Sequence, residues 1–270
     1  MNKIIRGVNY NIEINGEGPP LLLLHGFTGS QATWKHVKED FTRYKVITVD
    51  LIGHGETDKP ADPSRYTMEE TVADLVQLLY ELKIEKAAIL GYSMGGRVAL
   101  SFAILYPHKV TALILESSSP GLKTIEEKKA RQMNDEQLAS FIHEKGIEAF
   151  VEKWENIPLF HSQKSLPNDI IEEVRKERLK NVPRGLANSL IGMGTGMQPS
   201  WWPLLSTLNL PTLLITGKLD TKFCQIGSEI DEQLTNSFLE RVEEVGHAIH
   251  VEKPRIFSKI VDGFLQSVHE

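Results

Sequence analysis

The side chains best suited to acid–base or covalent chemistry fall at three places in the chain. The segment "GYSMGG" sets Ser93 between Gly91 and Gly95, directly after the apolar run "KAAILG". "LLITGKLDTKF" places Asp220 just beyond a second apolar run, and "VEEVGHAIHVEKP" places His247 after a glycine and ahead of a last helical segment. A serine hydroxyl is a weak base and nucleophile until a histidine can take its proton, and the histidine needs a carboxylate to hold its tautomer. Ser93, Asp220 and His247 occur in the order serine, acid, histidine, with the serine on a strand–turn–helix elbow. His250 is the competing histidine, and His247 is preferred because it follows the glycine turn directly.

Arg97 does not fit a plain nucleophile. It lies four residues past Ser93, in the first turn of the elbow helix, where a small or apolar residue would pack more easily. Arginine grips a carboxylate through a planar two-pronged fork that lysine lacks. Its position near the pocket floor therefore points to an anionic substrate.

The elements that must hold these groups are legible as compact apolar runs. "YNIEI" (10–14) alternates and predicts an early strand. "PLLLLHG" (20–26), "YKVITVD" (44–50), "KAAILG" (86–91), "VTALILES" (110–117) and "PTLLITG" (211–217) predict buried strands, and "FLERVEEVG" (238–246) a more exposed last one. Helical periodicity predicts helices over 67–83, 97–107 and 255–268, the first opened by Thr67 and Glu70 in a capping-box pattern. Buried strands alternating with helices imply an α/β fold with a mostly parallel sheet covered on both faces. The alternation lapses over 121–200, which is charge-rich and helix-like. That segment is expected to be a helical cap on a core made of 1–120 and 201–270.

Composition bounds the function. The chain has 270 residues, 41% hydrophobic and 24% charged, which suits a soluble globular enzyme. Its net charge of −6 argues against a nucleic-acid partner, since phosphate contacts need a basic surface. Cys224 is the one cysteine and forms no internal disulfide, and no apolar run reaches membrane-span length, so a cytoplasmic protein without stable membrane insertion is expected. The nine histidines are scattered without metal-ligand spacing, so neither a metal nor an organic cofactor is expected. Composition leaves room for a homo-oligomer.

The ordered series "HGFTGS", "DLIGHGETDKP", "GYSMGG", "GKLD" and "GHAIHVEKP" resembles the alpha/beta-hydrolase superfamily. The resemblance implies that the amides of Phe27 and Met94 form the oxyanion hole, and that His25 and His54 order their loops. The finer pattern "GYSMGGR", "ESSSPGL", "ARQMNDEQLASF", "FVEKWENIPLF" and "TGMQPSWWPLL" resembles the 2-succinyl-6-hydroxy-2,4-cyclohexadiene-1-carboxylate synthases of menaquinone biosynthesis, over essentially the full length. That family uses its triad to abstract a proton and expel pyruvate from a small polycarboxylate. The resemblance implies that Arg97, Arg131 and Arg178 bind carboxylates, with Arg175 or Arg184 as alternatives to Arg178, and that Tyr92 and Trp154 line the pocket. Alternatives sharing the fold are a serine esterase, lactonase or thioesterase, a carbon–carbon bond hydrolase, and a non-catalytic small-molecule receptor.

Overall fold

Leu21–Leu24 and Ala88–Gly91 lie side by side as parallel neighbours near the middle of an eight-stranded sheet. The computed structural model describes residues 1–269. The strands are β1 (Asn2–Ile5), β2 (Val8–Asn15), β3 (Pro20–Leu24), β4 (Lys45–Val49), β5 (Ala87–Tyr92), β6 (Val110–Glu116), β7 (Thr212–Gly217) and β8 (Ser237–Val242). Their spatial order is β1-β2-β4-β3-β5-β6-β7-β8; the β1–β2 and β2–β4 pairs are antiparallel and the rest parallel. All six residues of β5 are buried, as expected of a strand covered on both faces. At the edge, β8 is more open, with Phe238, Glu240 and Arg241 exposed and Val242 buried.

Helices α1 (Met68–Glu81), α2 (Met94–Leu105), α3 (Ile125–Trp154), α4 (Asn168–Leu179), α5 (Pro183–Met193), α6 (Thr221–Asp231), α7 (Ile249–Glu252) and α8 (Pro254–His269) complete the fold. Two apolar clusters fill the two faces of the sheet, one around Leu22, Ile89 and Phe102, the other around Leu23, Trp34 and Phe257. A third cluster, with Ile142, Phe150 and Leu186, packs α3 against α5. These helices and α4 occupy the interval between β6 and β7, which contains no strand.

Three local outcomes differ from the sequence expectations. Helix α2 starts at Met94 rather than Arg97, because the elbow runs straight into it: Arg97 N–H already donates to the Ser93 carbonyl at 3.0 Å. At α1 only half of the capping box forms. Thr67 Oγ1 accepts the Glu70 N–H at 3.3 Å, whereas the Glu70 carboxylate is drawn into ion pairs with Arg6 and Arg65. The long helical stretch of α3 is broken at Gly146, whose φ of 78° is left-handed.

Candidate active site

The end of β5 is forced into a sharp turn by backbone packed too closely for side chains. A Cβ on Gly91 would lie 2.3 Å from the Gly95 carbonyl oxygen, and one on Gly95 would lie 2.0 Å from that of Leu24. Between them Ser93 takes φ 50° and ψ −106°, a conformation that costs a non-glycine residue about 1–3 kcal/mol. Its Oγ lies 3.0 Å from His247 Nε2, and His247 Nδ1 lies 2.6 Å from Asp220 Oδ2. Asp220 caps α6, its Oδ1 accepting the Phe223 N–H at 3.3 Å, so the helix end fixes the carboxylate. His247 is 1% exposed and Asp220 9%. The Phe223 ring packs against His247, with centroids 4.6 Å apart and the ring planes at 62°. The structure thus brings all three residues into one hydrogen-bonded line.

Phe27 and Met94 line the same cavity as Ser93. Neither backbone N–H donates to another described group, so two amides stand open beside the serine. The loop that presents Phe27 is held by His25. This ring accepts the Leu51 N–H at Nε2 (2.9 Å) and donates from Nδ1 to the Gly26 carbonyl (2.8 Å). Burial lowers the His25 pKa and pushes that of His54 down to about 3, aided by the neighbouring His25. Both rings sit under the loops without reaching the cavity.

The cavity has a volume of about 600 Å³, within the usual range for a small-molecule site. On its floor, Arg97 Nη1 donates to the Met193 carbonyl at 2.6 Å and to Gln198 Oε1 at 3.1 Å. Both partners are neutral, and no carboxylate lies within ion-pair distance of Arg97 among the described residues. Burial, reinforced by Arg131, pushes its pKa down to about 10, so it stays cationic at neutral pH. A half-buried cation with only neutral acceptors gains from an incoming anion. Arg131 also lines the cavity, its Nε 2.8 Å from Asp135 Oδ1 and its side chain 40% exposed. Asp135 is buried, and its Oδ2 has no hydrogen-bond partner among the described residues.

The other arginines are not brought to this cavity. Arg178 is buried behind Phe160, its guanidinium carbon 4.6 Å from the ring centre and its Nη2 3.3 Å from Gln163 Oε1. Phe160 faces the cavity, and Arg178 faces two smaller clefts on the far side of that ring. Burial lowers the Arg178 pKa. Arg175 pairs with Glu155, Arg184 is exposed, and neither lines the cavity. Tyr92 and Trp154 do line it. The Tyr92 ring packs against His247, and burial together with Glu116 raises its hydroxyl pKa. Trp154 packs edge-on to Phe27 at 5.4 Å, with its indole N–H buried and without a partner among the described residues.

The chain's place among known proteins agrees with this geometry. The profile of the alpha/beta hydrolase fold matches residues 19–254. A Bacillus subtilis (strain 168) protein, provisionally named 2-succinyl-6-hydroxy-2,4-cyclohexadiene-1-carboxylate synthase, is 48% identical over 266 residues, which cover 97% of this chain and 96% of its own. The chain belongs to the alpha/beta hydrolase fold family. Within that family it is closely related to the synthase branch. MenH from S. aureus superposes with a TM-score of 0.92 at 38% identity, covering 97% of this chain and 99% of its own. A thermophilic esterase from Thermogutta terrifontis, solved with malate bound, superposes at 0.86 with 27% identity over 100% of this chain and 99% of its own.

Two cavity cations of this alpha/beta hydrolase went unrecognised in the sequence. Lys123 lies over the Trp202 ring at 4.2 Å and pairs with Glu229. Lys222, exposed at the mouth two residues past Asp220, is in no ion pair among the described residues. Lysines on loops and helix starts give no sequence signal that separates a pocket wall from open surface. Among the described residues, no group of three or more histidine, cysteine or acidic side chains is placed to hold a metal, and no helix is long and apolar enough to cross a membrane.

Proposed function

We propose that this chain is a carbon–oxygen lyase of menaquinone biosynthesis. It eliminates pyruvate from 2-succinyl-5-enolpyruvyl-6-hydroxy-3-cyclohexene-1-carboxylate to give 2-succinyl-6-hydroxy-2,4-cyclohexadiene-1-carboxylate. Relatedness to the synthases over nearly the whole length supports the reaction. The observation that carries the substrate class is Arg97, a cation on the cavity floor with only neutral partners.

In this reading Asp220 holds the His247 Nδ1–H, and His247 Nε2 takes the Ser93 proton. The Ser93 oxygen then removes a proton from the substrate ring. The electron pair of that C–H bond moves into the ring π system, and the charge passes through an enolate oxygen received by the Phe27 and Met94 amides. The ring C–O bond to the enolpyruvyl group breaks, and the leaving group takes up the proton carried by His247 to become pyruvate. Atoms balance without water.

Arg97 and Arg131 hold two of the substrate carboxylates, and Tyr92 and Trp154 shape the space between them. Arg178, placed behind Phe160, does not reach the third carboxylate in this geometry; Lys222 at the mouth does that work. Residues 121–200 act as the cap that closes over the substrate, in a cytoplasmic protein. The test is pyruvate release from the enolpyruvyl substrate. Wild-type protein is expected to release it well above the spontaneous rate and Ser93→Ala to return it to near that rate. Ester hydrolysis without pyruvate release would instead select the esterase reading, which the Thermogutta structure favours.

A further inference from the structure

Beside the triad lies a second buried histidine–carboxylate pair, Glu116 and His250, that the proposed chemistry does not use. Glu116 ends β6 and is 0% exposed, level with Tyr92 of β5 on one side and Ile215 of β7 on the other. Its carbonyl accepts the Ser93 N–H at 2.9 Å. Its carboxylate accepts the backbone N–H of His250 at 3.0 Å, and its Oε2 lies 2.8 Å from His250 Nδ1. His250 begins only three residues past His247. Glu116 therefore grips the serine elbow with its backbone and the histidine loop with its side chain. The Tyr92 ring fills the gap, with centroids 4.6 Å from His250 and 5.4 Å from His247.

Neither member of the pair lines the cavity, and His250 is walled in by Trp34 and Phe257. The pair is closed to substrate, so its effect on the reaction must pass through His247 and Ser93. A buried carboxylate deprived of donors is costly, and the cheapest relief is movement of the loop that carries them. We infer that the Glu116–His250 pair is a positioning device that keeps His247 at proton-transfer distance from Ser93. This rests on the reading that Ser93 and His247 carry the chemistry.

The test compares His250→Leu, which removes the ring donor, with His250→Asn, whose amide nitrogen stands in for Nδ1. For pyruvate release, the Leu variant is expected to lose about 10²-fold in kcat with KM within about threefold, as for a small misplacement of a proton-transfer group. The Asn variant is expected to recover to within about fivefold of wild type, and melting temperatures establish that both are folded. A folded Leu variant with wild-type kcat, or an Asn variant no better than Leu, overturns the inference. If the Leu variant does not fold, Glu116→Gln decides. Its amide can keep both contacts, so kcat should stay within about fivefold, and a loss of about 10²-fold would overturn a role in position. Should wild type release no pyruvate, the lyase reading fails by itself. The same ratios are then read on p-nitrophenyl acetate hydrolysis, which also runs through Ser93 and His247.

Discussion

Ser93 and His247 line the floor of the cavity, with Asp220 behind His247, and all three follow the ends of packed parallel strands, whereas the roof cations Arg131 and Lys222 reach it with partly or fully exposed side chains. Floor positions follow from contacts that cannot be relaxed, such as the Gly95–Leu24 approach and the 2.6 Å contact of His247 with Asp220. Roof positions depend on side chains that can turn: Arg131 is 40% exposed, Lys222 lies at the mouth, and α3 is interrupted at Gly146. In the proposed function the floor supplies the reaction and the roof chooses what undergoes it. Arg97 is the exception, a cation built into the floor while tied to α5 through the Met193 carbonyl, and in the proposed function it binds substrate.

The largest test of that division is at the floor. Ser93→Ala should lower kcat for pyruvate release by about 10⁴-fold with an unchanged melting temperature, because the elbow backbone is retained. A smaller loss, with KM unchanged, would mean that another group is the base. Arg97→Ala should cost about 10²-fold in kcat/KM, through loss of a charge-assisted pair worth roughly 3 kcal/mol. An unchanged kcat/KM would move Arg97 out of the site and leave it as a clamp on α5.

At the roof the effects shrink and separate. Lys222→Gln should raise KM about fivefold at constant kcat, since an exposed charge contributes about 1 kcal/mol. Arg178→Ala should leave kcat/KM within about threefold while lowering the melting temperature by about 2–4 °C, from loss of its packing on Phe160. Exchange of the two outcomes would show that Phe160 swings aside in the substrate complex and admits Arg178.

Legibility follows the same line as rigidity. The apolar runs from 20 to 26, 86 to 91 and 211 to 217 all became strands because burial on both faces leaves a continuous apolar signature. The elbow and its partners were readable because glycines and chain order are set by close packing. By contrast β1, with Asn2 and Lys3 at an exposed edge, carries no such signature, and α6 is masked by its polar start "TKFCQ". One expected cation, Arg178, stands off the main cavity for a related reason. Helical periodicity tells which face of α4 is charged, but not that Arg178 packs on Phe160, a residue 18 positions away, and lines the smaller clefts instead.

An effect on stability rather than on turnover lies under the floor. Burial holds the His54 pKa at about 3, against an ordinary value of 6.5. The unfolded chain takes up this proton below about 6.5 while the folded one does not, so the stabilisation is complete above 6.5 and is lost as pH falls toward 3. His54→Gln should flatten this acid limb, removing at most about 1.4 kcal/mol per pH unit from the slope of the unfolding free energy. An unaltered slope would mean that His54 is charged in the folded protein.

The most direct measurement of the central claim is the mass of the ring product formed in ¹⁸O-enriched water, with pyruvate counted alongside. Elimination with Ser93 as base predicts one pyruvate per conjugated cyclohexadiene and no solvent oxygen in the ring product. A ring product that carries ¹⁸O, or pyruvate released without the diene, would show that the triad activates water and would contradict the account.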